Sequence, residues 1–242
     1  MSYWRTLGLS FVLFSAPAFA DEPVQVPPEL RSLSAAEVDA RLADAERLLD
    51  DGELYGDLWW YGWTSFYAIG VVFQTVEVAT DGNDSDGREA DKIVGAVKAT
   101  GGVVSQLIRG SATADGADPV RELPSATAED RLYRLAVAEH QLRARAKESD
   151  GRFSLLRHGM NVAVNVAGAM IVWQGFEART RAWRSAATGI AVGEIMIWTI
   201  PWYGRSELEQ YEQRHNVRVP QGPRVSWGIA PSLNGASVQL RF

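Results

Sequence analysis

The chain has no cysteine. Disulfide bonds therefore contribute nothing to its stability, and a thiol cannot act as a nucleophile or a metal ligand. Basic residues are in the minority, with 24 Lys and Arg against 30 Asp and Glu. Proteins that bind nucleic acid need a basic face to contact phosphates, so this balance argues against a nucleic-acid partner.

Recognisable catalytic motifs are also missing. The three histidines share no metal-ligand spacing, and the glycines and serines form neither a phosphate-binding loop nor a nucleophile elbow. We therefore expect no cofactor and no metal site. A protein without enzymatic activity is favoured, and an enzyme is the less favoured class.

The first twenty residues, MSYWRTLGLSFVLFSAPAFA, have the order of a secretory signal peptide. Arg5 precedes an apolar run from Leu7 to Phe14, and the small residues Ala18 and Ala20 follow it. That run is shorter than a membrane-spanning helix. We expect residues 1–20 to be a signal peptide, with an uncleaved anchor as the alternative, so the chain after it begins outside the cytoplasm.

Two segments recur in the same order, which indicates an internal duplication. RLADAERLL at Arg41–Leu49 matches RLAVAEHQL at Arg134–Leu142, and VFQTVEVAT at Val72–Thr80 matches VWQGFEART at Val172–Thr180. The offsets are 93 and 100 residues, and a seven-residue difference in loop length reconciles them. Two matches in one order favour a duplication over chance.

We predict a mainly α-helical protein with two tandem units, residues 21–124 and 125–204, and a tail, residues 205–242, that ends in a β-hairpin. Each unit contains an amphipathic helix and an apolar helical hairpin; in the first unit, a capping box of Ser34 and Glu37 opens the amphipathic helix. The predicted apolar and return helices cover residues 58–76 and 93–108 in the first unit and residues 158–176 and 186–202 in the second.

The hairpins have features of membrane-spanning helices. Residues 58–76 carry no formal charge, and a stretch of this length is close to what crosses a bilayer core. Trp59, Trp60 and Trp63 lie together at its start, as in an interfacial aromatic belt. We favour four spans with membrane lipid as the partner. The alternative is a periplasmic or membrane-surface helical bundle, which the mean hydropathy of −0.13 supports.

Glu194 is the strongest candidate for a functional residue, because it is a carboxylate within an apolar run and lies beside Gly189 and Gly193. The polar groups expected to reach it inside the membrane are Lys98, Asn161 and Asn165. We favour a polar cluster that fixes helix packing. The alternative is an ion or proton path lined by Glu194.

A second set of polar residues recurs in the duplication. Gln74 with Glu77 and Gln174 with Glu177 lie three residues apart on predicted equivalent helix ends. Paired carboxylates can perform acid–base chemistry or bind a metal, but no histidine recurs beside them. We favour a role in capping and orienting the helices.

The tail carries a turn signal, Asn234–Gly235, between alternating residues. The predicted register places Trp227 opposite Phe242 and Ile229 opposite Leu240. The expected docking face consists of Val225, Trp227, Ile229, Val238, Leu240 and Phe242. An isolated two-stranded ribbon is marginal in water, so this face would pack on the helices, a protein partner or a second copy.

The strand that ends in Phe242 resembles the C-terminal signature of outer-membrane barrel proteins over about ten residues, and no other barrel strand is found. Together these features predict a bacterial cell-envelope protein, in the inner membrane or, alternatively, periplasmic or outer-membrane-associated. We expect a non-enzymatic scaffold or complex subunit. The alternative is a small channel or transporter with Glu194 lining the pathway.

Overall fold

The computed structural model describes residues 24–80, 85–109, 114–218, 226–232 and 235–241, which are mainly helical. The helices are α1 (Ala35–Asp51), α2 (Glu53–Thr80), α3 (Asp86–Arg109), α4 (Asp118–Arg121), α5 (Ala128–Asp150), α6 (Leu155–Phe176), α7 (Arg179–Trp198) and α8 (Gly204–His215). Short 3-10 helices form at Pro28–Ser32 and Gly151–Phe153. The predicted signal peptide, Val225, Asn234 and Phe242 lie outside the described residues.

Capping boxes start both amphipathic helices. At α1 the Glu37 amide donates to the Ser34 hydroxyl at 3.3 Å, and the Ser34 amide donates to the Glu37 carboxylate at 2.8 Å. At α5 the same two bonds join Thr127 and Asp130 at 3.1 and 2.9 Å. Each box satisfies amide donors that have no partner within the helix.

Helices α1, α5 and α8 pack together and form what we call the three-helix bundle. Its core contains fully buried leucines from each helix, including Leu49 of α1, Leu142 of α5 and Leu208 of α8. Helix α8 begins at Gly204, so all but its first residue lies in residues 205–242, the predicted tail. Hydrophobic periodicity does not predict α8, because the helix contains few apolar residues. Its Leu208 and Tyr211 side chains nevertheless lie in the core.

Helices α2, α3, α6 and α7 form what we call the hairpin layer. Consecutive helices pair as α2 with α3 and α6 with α7, and α3 also contacts α6 and α7. Few of its side chains are buried: one cluster centres on Val172, Ala182 and Ala186, and another on Trp59 and Ile197. The hairpin layer therefore has little apolar core of its own.

The helix bounds differ from prediction most at α7. The predicted return helix covers 186–202, whereas α7 covers Arg179–Trp198, so only residues 177 and 178 separate it from α6. The prediction excluded the basic residues at the start of α7, but a helix tolerates charges in its first turns. Pro201 disfavours helical backbone in the residue before it, and the helix stops short of it.

The tail contains two antiparallel strands, β1 (Ser226–Ser232) and β2 (Gly235–Arg241). Trp227 pairs with Leu240 and Ile229 with Val238, so the register is two residues away from the predicted one. The strands pair up to Ser232 and Gly235, so Gly235 belongs to β2, whereas the prediction placed it in the turn. A shift of two residues keeps the predicted alternation in phase.

Candidate functional site

The candidate site lies where α6 packs against α7. Asn161 and Asn165 are one turn apart on α6, and Gly189 and Gly193 are one turn apart on α7. A side chain at Gly189 would overlap the Asn165 amide, and one at Gly193 would overlap the Asn161 amide. The two glycines therefore make room for two polar side chains between closely approaching helices.

Five side chains are joined by hydrogen bonds into what we call the polar chain. His158 Nδ1 lies 2.7 Å from Glu194 Oε2, and Asn161 Nδ2 donates to Glu194 Oε1 at 3.0 Å. Asn165 Nδ2 donates to Asn161 Oδ1 at 3.1 Å, and Lys98 Nζ donates to Asn165 Oδ1 at 3.2 Å. The structure thus brings together the four residues grouped by the sequence analysis and adds His158.

The His158–Glu194 contact can share a proton. Nε2 of His158 faces the Arg152 carbonyl oxygen at 2.9 Å, and a carbonyl can only accept, so this nitrogen must carry hydrogen. Nδ1 faces a carboxylate oxygen, which accepts as well when it is ionised. Either the imidazole is doubly protonated or Glu194 carries the proton, so the two groups form an acid–base pair.

Depth along the helices separates the two ends of the polar chain. Glu194 lies one turn from the end of α7, and His158 lies in the first turn of α6, so both are at the bundle end of the hairpin layer. The Glu194 side chain is 29% exposed. Lys98 lies midway along α3. The lysine, rather than Glu194, is the charge deepest within the hairpin layer.

Lys98 reaches the polar chain along the surface of α6. Its aliphatic stem lies beside Gly168, which has no side chain to block it, and its ammonium reaches Asn165. Among the described residues no carboxylate oxygen lies within 4 Å of this ammonium. The acid whose charge acts on it is Asp91, two turns away on the same helix.

His158 is the member that sequence reasoning missed. The position of Glu194 opposite this part of α6 follows from the geometry of the hairpin, because residues equidistant from the connection face each other. Asn161 and Glu194 are equally far along the chain from the connection at Glu177 and Ala178, one on each side of it. His158 is one turn from Asn161 on the same face. The missing information was the two-residue length of the connection.

The predicted helix-end pairs do not occupy equivalent places. Gln74 and Glu77 lie inside α2, which continues to Thr80, and the Gln74 amide packs directly on Gly95 of α3. Gln174 is exposed, and Glu177 follows the end of α6 with a left-handed backbone, φ 54°. Helix α6 ends because its chain reverses at once into α7, whereas α2 runs on for another turn.

Two ion pairs join α1 to α5 in a reciprocal pattern. Arg41 of α1 pairs with Glu139 of α5, and Arg134 of α5 donates to Glu46 of α1 at 2.7 Å. The partners are 98 and 88 residues apart, five either side of the repeat offset of 93. In each pair the arginine that begins one RLA segment therefore contacts the glutamate of the other RLA segment.

A third buried pair fastens α8. The Arg145 guanidinium is almost wholly buried, donates to the Leu49 carbonyl at 2.6 Å and lies 3.7 Å from Glu207 of α8. Burial raises the pKa of Glu207 to about 7; Arg145 opposes this effect and Asp51 adds to it. The cost of burying the carboxylate exceeds the attraction of the arginine.

Among the described residues, no group of three or more His, Asp or Glu side chains could hold a metal ion. One described helix, α6, is long and apolar enough to cross a membrane by length and composition.

Comparison of the chain with protein families, curated proteins and solved structures finds no significant match. The candidate functional features are therefore the polar chain and the surface of the hairpin layer.

Exposed apolar side chains are unevenly distributed. Among the helical residues and loops whose side-chain burial is described, every exposed large apolar side chain belongs to α2, α3, α6 or α7, or to Phe153 and Trp202 at their bundle end. Those of α2 are Leu54, Tyr55, Leu58, Tyr61, Phe66, Ile69, Val72, Phe73 and Val76. The described parts of α1, α5 and α8 contribute none.

Proposed function

We propose that this chain is an exported inner-membrane protein whose hairpin layer spans the bilayer and whose three-helix bundle lies on the periplasmic side. Within the membrane it acts as a non-enzymatic scaffold or complex subunit. The observation that carries the proposal is the confinement of exposed large apolar side chains to the hairpin layer. A contiguous apolar surface of this extent is unfavourable in water and marks contact with lipid or protein.

The aromatic side chains support the same placement. Trp59 and Trp63 donate to the Thr199 hydroxyl at 3.3 and 3.2 Å at the bundle end of the hairpin layer. At the opposite end the rings of Trp173 and Trp183 are 6.1 Å apart. Tryptophan favours both membrane interfaces, and the stretch of α7 from Trp183 to Trp198 corresponds to about 22 Å of helix. That distance is compatible with a bilayer core of about 30 Å.

Helix α2 belongs in the membrane although its average hydropathy is modest. Residues 58–76, which form its central part, carry no formal charge, and most of its large side chains are exposed. Tryptophan, tyrosine and glycine lower the average of this helix on common hydropathy scales, although aromatic residues are favourable at the interface. Helices α3 and α7 would accompany it as partners, because Lys98 of α3 and Glu194 of α7 are hydrogen-bonded to α6.

Gene duplication is part of the proposal. The reciprocal ion pairs Arg41–Glu139 and Arg134–Glu46 are what a two-fold relation between two copies of one unit would produce. The helix order also repeats, with an amphipathic helix followed by two hairpin helices. In this arrangement the first helices of both copies associate outside the membrane and hold the two hairpins side by side.

A scaffold role follows from what the polar groups do. The asparagines of the polar chain fill the space left by glycines on the neighbouring helix, which fixes the distance between α6 and α7. The remaining apolar surface is left open to lipid or to a membrane partner. Rigid hairpins with a broad apolar exterior suit a protein that organises other membrane components.

Proton transport is a second candidate, favoured by the hydrogen-bonded acid–base pair of His158 and Glu194. Under this alternative, Glu194→Gln abolishes proton flux into phosphatidylcholine vesicles that contain a pH-sensitive dye. A scaffold conducts no protons in the same vesicles, with or without the substitution. If the protein is a scaffold, Glu194→Gln should also leave the size of its assembly in mild detergent unchanged.

The membrane proposal is tested by labelling introduced cysteines, because the native chain has none. Asp39→Cys places a thiol on the exposed face of α1, and Thr180→Cys places one at the far end of the hairpin layer. In bacterial spheroplasts, a membrane-impermeant maleimide should label the thiol at position 39 at once. Position 180 should react only after lysis.

The cysteine-free protein is the matched control for background labelling. The protein should stay in the membrane pellet after a sodium carbonate wash. Labelling of both positions in intact spheroplasts, together with release by carbonate, would instead support a periplasmic bundle. Protection of both positions until lysis would contradict export of the bundle.

A further inference from the structure

A large cleft runs between the helices of the hairpin layer. Its volume is about 2290 Å³, and it is bounded by α2, α3, α6 and α7, with α5 and α8 at the bundle end. Among the apolar residues on its walls are Phe66, Tyr67, Val164, Met196 and Ile197. A cleft of this size with aliphatic and aromatic walls can hold a hydrocarbon chain.

The charges that line the cleft are unbalanced. The cations are Lys92, Lys98, Arg143, Lys147, Arg157, Arg181, Arg184 and Arg205. The acids are Glu77, Asp91, Glu148 and Asp150. Two of these acids are already ion-paired, Glu148 with Arg157 and Asp150 with Arg205. The lining is therefore basic, although the whole chain has a net charge of −6.

Lys98 is the cation that most needs a counter-charge. Its ammonium is half-buried midway along the cleft, and its described hydrogen-bond partner is the neutral amide of Asn165. A cation held among apolar groups without an anion is unfavourable, and the cost is larger in a membrane than in water. An anionic group of a ligand would supply the missing partner.

We propose that the cleft binds an amphiphile with an anionic head group, whose carboxylate or phosphate lies against Lys98 and whose hydrocarbon chain lies along the apolar walls. The cations near the two ends of the cleft attract the same ligands and guide the head group inward. The site needs only the packing of the hairpins, so it stands whether the hairpin layer spans the bilayer or lies at its surface.

The test uses the full chain purified in an uncharged detergent and dansyl-undecanoic acid, a fluorescent fatty acid. The dansyl-undecanoyl amide, which has the same chain and no charge, is the ligand control. The acid should bind more tightly than the amide. Lys98→Met should weaken binding of the acid by about tenfold, which corresponds to about 1.4 kcal/mol, and leave the amide unchanged.

Two further variants separate a binding role from a structural one. Arg88→Met removes a cation from the exposed start of the same helix, outside the cleft, and should leave the affinity for the acid unchanged. Lys98→Arg keeps the charge and should retain most of the binding. Thermal unfolding of each variant shows whether a loss of binding reflects a loss of folding.

Fluorescently labelled phosphatidylglycerol, used as a competitor, identifies the source of the head group. Displacement of the fatty acid supports a phospholipid ligand, and failure to displace it supports a single-chain ligand. Equal affinity for acid and amide overturns the proposal, as does displacement of the acid by inorganic phosphate alone. Equal binding by Lys98→Met and the parent protein would also overturn it.

Discussion

The three-helix bundle and the hairpin layer are built in opposite ways. The bundle holds most of the large, fully buried side chains of the described residues, among them Leu48, Leu135 and Tyr211. The hairpin layer exposes its large apolar side chains and places amides, a lysine and a histidine between its helices. One chain therefore combines a fold stabilised by exclusion of water with one stabilised by close helix contact.

The polar contacts between helices also differ between the two regions. In the bundle, buried ion pairs link neighbouring helices, since Arg41 and Arg145 each reach a carboxylate on another helix. In the hairpin layer, glycine and asparagine set how closely helices approach. Substitutions at equal depth in the two regions should therefore have unequal effects.

The largest expected effect is the loss of a bundle core side chain. Leu142 is 0% exposed, and Leu142→Ala removes apolar contacts and leaves a cavity, which costs about 2–5 kcal/mol of unfolding free energy. Ile69→Ala is the matched substitution in the hairpin layer, where the side chain is 68% exposed, and it should cost less than about 0.5 kcal/mol.

Chemical denaturation in mild detergent measures both values. Similar losses for Leu142→Ala and Ile69→Ala would show that α2 is packed against the rest of the protein in solution. The contrast between the two regions would then be wrong.

A smaller effect, dependent on pH, is expected at Glu207. Its raised pKa of about 7 means that the folded protein binds a proton more tightly than the unfolded chain does. The contribution of Glu207 to stability is therefore fully present below about pH 4.5 and is lost as the pH rises through 7. Each unit of raised pKa corresponds to about 1.4 kcal/mol. Glu207→Gln should be more stable than the parent protein at pH 8 and about equal to it at pH 4.5.

Melting temperatures at the two pH values provide this comparison. Glu209→Gln, an exposed position on the same helix, should leave the pH dependence of the parent protein unchanged. A Glu207→Gln protein that melts lower than the parent at pH 8 would show that the Arg145 ion pair outweighs the cost of burial.

The sequence allowed the mainly helical class and the capping box at Ser34 to be predicted, because both depend on local patterns. It also grouped Glu194 with Asn161, Asn165 and Lys98, since polar residues in apolar helices need partners. It could not assign α8, whose few core residues give little periodicity. The β-strand register was also missed: the Asn–Gly pattern predicts a turn at residues 234 and 235, whereas Gly235 pairs with Ser232.

The depth of Glu194 within the hairpin layer was the least predictable feature. Its depth depends on where α7 ends, and the apolar pattern continues past Trp198 to the residues before Pro201. Only the true end of the helix shows that Lys98 is the deeper charge. Sequence patterns identify which residues need partners, whereas helix ends and crossings decide which partner each one finds.

The smallest expected effect separates two glycines of the same hairpin. Alanine is favoured over glycine within a helix by about 0.5–1 kcal/mol. Gly175 of α6 has free space around it, so Gly175→Ala should raise the melting temperature in detergent slightly. At Gly189 the new methyl group would overlap the Asn165 amide, which must move and loosen its bonds to Asn161 and Lys98. Gly189→Ala should therefore lower the melting temperature, and the double substitution Gly189→Ala with Asn165→Ala should recover part of the loss. If both glycines tolerate alanine equally, the polar chain does not set the distance between α6 and α7.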